Sequence, residues 1–180
     1  GSDLWQDCLS VVKKEKPEFT ILGVNWPTKL KQGQERMQIA FEELSKHSSH
    51  LVLITKPPVL PENATRSAIR ENGLKVYKED GRIRERRIQA NEFIKHQEKE
   101  NVIVVDIEGL FLKSNKEIRI MNQKGKLLFH DARHLSGYGS DLVKDQLLDL
   151  ILEKKGKKRS TKSTKKFQQT YSIFSVAGTD

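Results

Sequence analysis

Cysteine is nearly missing from this sequence. Cys8 stands alone among 180 residues, so neither an internal disulfide nor a cysteine-based zinc cluster can form. A lone cysteine is more often a buried, inert side chain than a reactive thiol. Long apolar runs are missing too, and nothing approaches the ~20 residues of a membrane-crossing helix. The sequence shows no secretory leader and no initiator methionine, which points to a processed domain or a fragment whose targeting signals lie elsewhere. No internal repeat is present.

Charge is plentiful but uneven. The formal net charge is +9, with 32% charged and 36% hydrophobic residues. Between residues 153 and 170, eight basic groups and one acid account for +7 of that total. The rest of the chain is close to neutral. The basic character therefore belongs to a tail, expected to be a solvated, disordered extension over 153–180. Such a tail can attract nucleic acid or anionic lipid weakly. The remaining sequence carries neither the motif nor the aromatic interleaving of a nucleic-acid reader, so nucleic acid is not the expected partner.

Residues 1–152 have the size of one domain. Apolar spacing predicts a helix over 4–16 with Leu4, Cys8, Val11 and Val12 inward, ended by Pro17. Phe19–Val24 reads as a buried strand and Asn25-Trp26-Pro27 as a break. A helix follows near 33–47, with Met37, Ala40, Phe41 and Leu44 on one face. His50–Thr55 is a second buried strand, and Lys56–Pro61 leaves it as an extended loop, because proline cannot donate to a ladder. Residues 62–80 are polar and irregular or partly helical. A helix over 82–99 groups Ile83, Ala90, Phe93, Ile94 and Gln97. Arg82, Arg84, Arg86 and Arg87 point around its cylinder as a solvated face. Asn101–Ile107 is a third strand, Lys124-Gly125 a turn, and 138–154 a last helix with Leu142, Val143, Leu147, Leu150 and Ile151 inward. Tyr171–Ala177 is β-prone but has no evident place. This alternation argues an α/β fold with a mostly parallel sheet. Ligands then bind at the carboxyl ends of the strands, here Asn25-Trp26, Thr55-Lys56-Pro57 and Asp106.

The stretch richest in chemistry is His130-Asp131-Ala132-Arg133-His134-Leu135-Ser136-Gly137-Tyr138-Gly139. Asp131 and His134 lie three residues apart in a loop. A carboxylate at that spacing can accept from one imidazole nitrogen and leave the other as a general base. Taken alone, the two residues favour a turn aspartate and a loop histidine over a catalytic pair. Ser136 suits a helix N-cap, and Gly137 and Gly139 permit tight packing. His47 and His50 flank a helix end without clustered acids, so a metal site is not expected. Asn63-Ala64-Thr65 is a glycosylation sequon that matters only in a secretory compartment.

The block from Asp131 to Ser140, followed by an amphipathic helix, resembles the last conserved block of the SGNH hydrolases. More narrowly, it resembles the SGNH-like domain at the C-terminus of membrane acyltransferase 3 family O-acyltransferases. Pro17–Trp26, Ile54–Pro61 and Val104-Val105-Asp106 are similar to further segments of that domain, so the resemblance covers roughly residues 8–152. It implies a three-layer, flavodoxin-like fold and acyl transfer, acetyl above all, to hydroxyls of a carbohydrate or lipid acceptor. His134 takes the role of general base and Asp131 that of the orienting acid. Gly23-Val24-Asn25 resembles the family's Gly-x-Asn block, which makes Asn25, with Gly23, the expected oxyanion and substrate contact. Trp26 is expected to shape the pocket floor. No cofactor or metal is implied. The implied partners are an acyl donor, a hydroxyl-bearing acceptor and a membrane-embedded acyltransferase domain, with this domain on the extracytoplasmic or luminal side. One departure stands out. The family's nucleophile lies in a Gly-Asp-Ser block on its first strand, and no such block occurs here. The first strand is therefore expected to be missing, with the serine outside this chain. The alternative is a non-catalytic fragment or binding module with a basic tail.

Overall fold

The computed structural model describes residues 4–62, 64, 69, 76–154, 156 and 171–175. By its contacts the chain divides into two compact units. The first comprises Gly1–Lys56, Arg86–Asp106 and Phe167–Asp180, and the second Pro57–Glu85 and Ile107–Lys166.

The first unit is built on a parallel sheet. Helix α1 (Leu4–Glu15) leads into β1 (Phe19–Gly23), then α2 (Trp26–Leu30), α3 (Gln34–His47) and β2 (His50–Ile54). Helix α4 (Gly81–Lys95) precedes β3 (Val102–Val105). The strands are short apolar runs whose side chains are buried on both faces, as a covered parallel sheet requires. The sheet order is β3-β2-β1-β4, where β4 is Tyr171–Ser175. All pairings are parallel, with Ile21 opposite Val52 and Val52 opposite Ile103. The β-prone stretch that the sequence leaves unplaced thus supplies an edge strand, with Ser175 opposite Gly23. The other tail residues, 155, 157–170 and 176–180, lie outside the described residues, as does the sequon asparagine, Asn63.

The core of this unit joins Val12, Leu22, Trp26, Met37, Phe41, Leu44, Leu51 and Ile94. Trp26 packs edge-on against Phe41 at 5.7 Å. Its indole N–H donates to the Ile54 carbonyl at 2.6 Å, tying the segment after β1 to the end of β2. Cys8 is buried, and desolvation, reinforced by the charge of Asp7, pushes its thiol above the ordinary range. His50 stacks on Phe19 with ring centroids 4.9 Å apart.

Four expectations need correcting. Val11 is 40% exposed and Ile83 42% exposed, so neither belongs to the core. The expected break at Asn25-Trp26-Pro27 is the start of α2, because proline fits the first helical turn, where its missing N–H costs nothing. Arg87 is not on a solvated face: it is fully buried. The buried stripe of α4 is Arg87, Ala90, Asn91 and Ile94, which has helical spacing but is half polar. Asn91 shows why. Its amide donates to the Lys56 carbonyl at 3.0 Å and its carbonyl accepts from the Lys56 N–H at 2.8 Å. A pair of this kind satisfies the backbone that a proline-rich loop leaves without a ladder.

Among the described residues, the second unit has little regular structure between Ile107 and its long helix. Helix α5 (Glu108–Phe111) is one turn of 4 residues, and α6 (Gly137–Lys154) has 18. Between them, isolated antiparallel bridges join Leu112 to Ile118, Met121 to Leu127 and Phe129 to Leu135. Asn122 caps the turn at Gly125, where φ is +69°. Ile107, Phe111, Ile118, Ile120, Leu128 and Phe129 are buried, and Phe111 meets Phe129 edge-on at 5.6 Å.

Candidate active site

The loop between Phe129 and Leu135 is closed at its neck. The Phe129–Leu135 bridge lies below it, and His130 N–H donates to the His134 carbonyl at 2.8 Å. A strut from the proline loop holds its tip, where Leu60 N–H donates to the Ala132 carbonyl at 2.9 Å. Below the neck, Ser136 N–H donates to the Leu128 carbonyl at 2.9 Å.

Asp131 organises the interior of this loop. Its Oδ1 accepts from the backbone amides of Arg133 at 2.8 Å and His134 at 2.9 Å. The same carboxylate receives His134 Nδ1, at 2.8 Å from Oδ2 and 3.0 Å from Oδ1. The two amides fix the carboxylate, and the carboxylate fixes the ring. An acceptor on that side requires the proton on Nδ1, which leaves the Nε2 lone pair free. Partial burial pushes the Asp131 carboxyl up. The Arg133 amide, the His134 imidazole and the His134 amide outweigh it, and the net direction is below the ordinary 3.8. The side chains of His134 and Asp131 are 62% and 49% exposed, so the pair adds little to stability. What it provides is orientation.

The helix that follows is anchored where the sequence suggests. Ser136 is buried, its Oγ accepts from Gly139 N–H at 3.2 Å, and it donates to the Leu127 carbonyl at 2.5 Å. Gly139 is needed for space. A Cβ there would stand 2.1 Å from the Leu128 carbonyl oxygen. Gly137, in contrast, has nothing within 4 Å, so its expected packing role is not seen.

The other expected residues belong to the first unit. Asn25 follows β1 and precedes α2, and its carbonyl accepts from Thr28 and Lys29 at 3.1 Å each. Its side chain makes no cap hydrogen bond and is half-buried. Gly23 ends β1, and a Cβ there would meet only Ile54, at 3.8 Å, so no steric demand explains the glycine. Trp26 is a core residue. Beside them, a network at the carboxyl ends of β2 and β3 had no signal in the sequence beyond its position. Asp106 accepts from the buried Thr55 hydroxyl at 3.0 Å and pairs with Lys95 at 2.8 Å. The Asp106 hydrogen bond is the main cause that raises Lys95 above its ordinary value.

The family described as "SGNH domain (fused to AT3 domains)" matches residues 6–149. The chain belongs to this family. Its α/β architecture with a parallel sheet is consistent with that membership. No curated protein matches the chain. Among solved structures, it is similar to the periplasmic domain of the lipopolysaccharide acetyltransferase of Salmonella ser. Paratyphi A, with a TM-score of 0.57 and 17% identity. That match covers 82% of this chain and 61% of the Salmonella domain, so the chain spans about three fifths of that domain's length. Among the described residues, no helix is long and apolar enough to cross a membrane.

Proposed function

We propose that this SGNH domain serves an O-acyltransferase that moves a short acyl group, acetyl in the leading case, onto a hydroxyl of a carbohydrate or lipid acceptor. The observation that carries the reading is the Asp131–His134 pair. Its Nδ1 is held by a carboxylate that two backbone amides fix in place, and its Nε2 is left basic.

The chemistry follows from that pair. A serine hydroxyl attacks the acyl carbonyl while His134 Nε2 takes its proton, and the bond to the donor's leaving group breaks as that group receives the proton. The acceptor hydroxyl then gives its proton to Nε2 and attacks the acyl-serine, and the acyl–serine bond breaks as Nε2 returns the proton to the serine oxygen. Asp131 stays ionised and stabilises the imidazolium. Asn25, with Gly23, offers an amide donor to the oxyanion, in keeping with a side chain that caps nothing, and Trp26 holds that segment. The serine is not assigned to a residue. The mechanism needs neither a metal nor an organic cofactor. The family description supports a membrane-embedded acyltransferase domain as the partner. With the periplasmic likeness, it supports an extracytoplasmic setting.

The test is acyl transfer by the intact protein. His134→Ala and Asp131→Asn should each lower turnover by roughly 10²–10⁴-fold with acceptor affinity kept. Near-normal turnover by either variant contradicts the assignment.

A further inference from the structure

The first unit carries a cavity that the catalytic reading leaves unused. It measures about 320 Å³ and is walled by residues of α1, α2 and α3. Trp5 and Leu9 contribute from α1, and Met37 and Ile39 from α3. Met37 is buried, whereas Ile39 is 54% exposed, so apolar surface is offered to solvent there. Two cations line the same space, Lys29 and Arg36. Neither side chain has an ion-pair or hydrogen-bond partner among the described residues. Glu43, the acid in the lining, is already engaged by Lys46 at 2.6 Å. The uncommitted charge at the cavity is therefore positive and doubled.

These features select a class of ligand. An apolar wall open to water favours an alkyl chain over a sugar ring. An unpaired ammonium and guanidinium select an anionic head, and a guanidinium matches the oxygens of phosphate or carboxylate. The volume lies at the small end of ligand sites, which suits one chain and not the paired chains of a phospholipid. We propose that this cavity binds a single-chain anionic amphiphile. The alkyl chain lies against Trp5, Leu9 and Met37, and the head pairs with Lys29 and Arg36. The inference does not depend on the Asp131–His134 assignment.

The experiment is calorimetric titration of the 180-residue chain with decyl phosphate below its micelle threshold, with Trp5 as a fluorescent reporter. Saturable one-to-one binding is expected. Decanol and inorganic phosphate should each bind at least about tenfold more weakly, because each lacks one half of the recognition. Lys29→Ala with Arg36→Ala should weaken decyl phosphate at least tenfold. Ile39→Glu, an exposed change that spares the fold, should weaken it as well. Ala40→Trp should block it, with the thermal melt confirming folding. Decanol binding as tightly as decyl phosphate would overturn the proposal. So would binding that survives Lys29→Ala/Arg36→Ala but is lost when the lysines of 154–166 are neutralised, or adsorption to anionic phospholipid vesicles without saturable decyl phosphate binding.

Discussion

Gly139→Ala should damage both the stability and the chemistry of the second unit. The new Cβ would stand 2.1 Å from the Leu128 carbonyl oxygen, 3.1 Å from its carbon and 3.2 Å from Leu135 Cβ. The nearest obstacle is backbone and cannot rotate away. Overpacking of this kind costs about 1–3 kcal/mol. The obstructed oxygen also accepts from Ser136 N–H at 2.9 Å, and straining that bond adds about 1 kcal/mol. Alanine returns at most about 1 kcal/mol through its better helix propensity. The net loss is about 1–3 kcal/mol, read as a lower urea midpoint at unchanged slope. Gly137→Ala is the control, since nothing lies within 4 Å of its Cβ position, and it should be neutral or slightly stabilising. Because Leu128 and Leu135 underlie the neck of the Asp131–His134 loop, Gly139→Ala should also reduce acyl transfer where Gly137→Ala does not. Equal midpoints for the two variants would refute the steric argument.

Other outcomes follow from single contacts. Asn91→Ala removes both hydrogen bonds to Lys56 and should cost about 1–3 kcal/mol in denaturant unfolding, since two half-buried backbone groups lose the amide that meets them. The folded chain holds Asp131 below its ordinary value, so the unfolded chain binds that proton more readily. Its contribution is then complete above the unfolded value and is lost as pH falls through the folded one. Asp131→Asn should therefore flatten the fall in stability as pH drops through the carboxylate range. The effect is modest because the carboxylate is half exposed. Cys8, buried with a raised thiol value, should react with a thiol reagent only as fast as the chain opens, and prompt labelling in native buffer would contradict its burial.

Much of this architecture is legible in the sequence because its signals are local. The runs at 19–24, 50–55 and 101–107 are too apolar for anything but covered strands, and they became β1, β2 and β3. The three-residue spacing of Asp131 and His134 is enough for their hydrogen bond, because that bond closes within one loop. What escaped depends on distant partners. Arg87 reads as a surface residue, and Asn91 carries no signal of its own until the carbonyl and amide of Lys56 arrive opposite it. Tyr171–Ser175 has the composition of a strand, but nothing in its neighbourhood names β1 as its mate. The strut from Leu60 to Ala132 joins two loops 72 positions apart in the chain, and no periodicity encodes it. Trp26 is legible as a packing residue, but the bond from its indole to the Ile54 carbonyl, 28 positions on, is not.

The central claim is that Asp131 fixes the proton of His134 on Nδ1 and frees Nε2. Long-range ¹H–¹⁵N spectra of the histidine rings test it in the 180-residue chain, without substrate or partner. In its neutral form, the His134 ring should show a protonated Nδ1 and a bare Nε2, and Asp131→Asn should shift that balance. A His134 ring protonated on Nε2, or one whose spectrum Asp131→Asn leaves unchanged, would contradict the account.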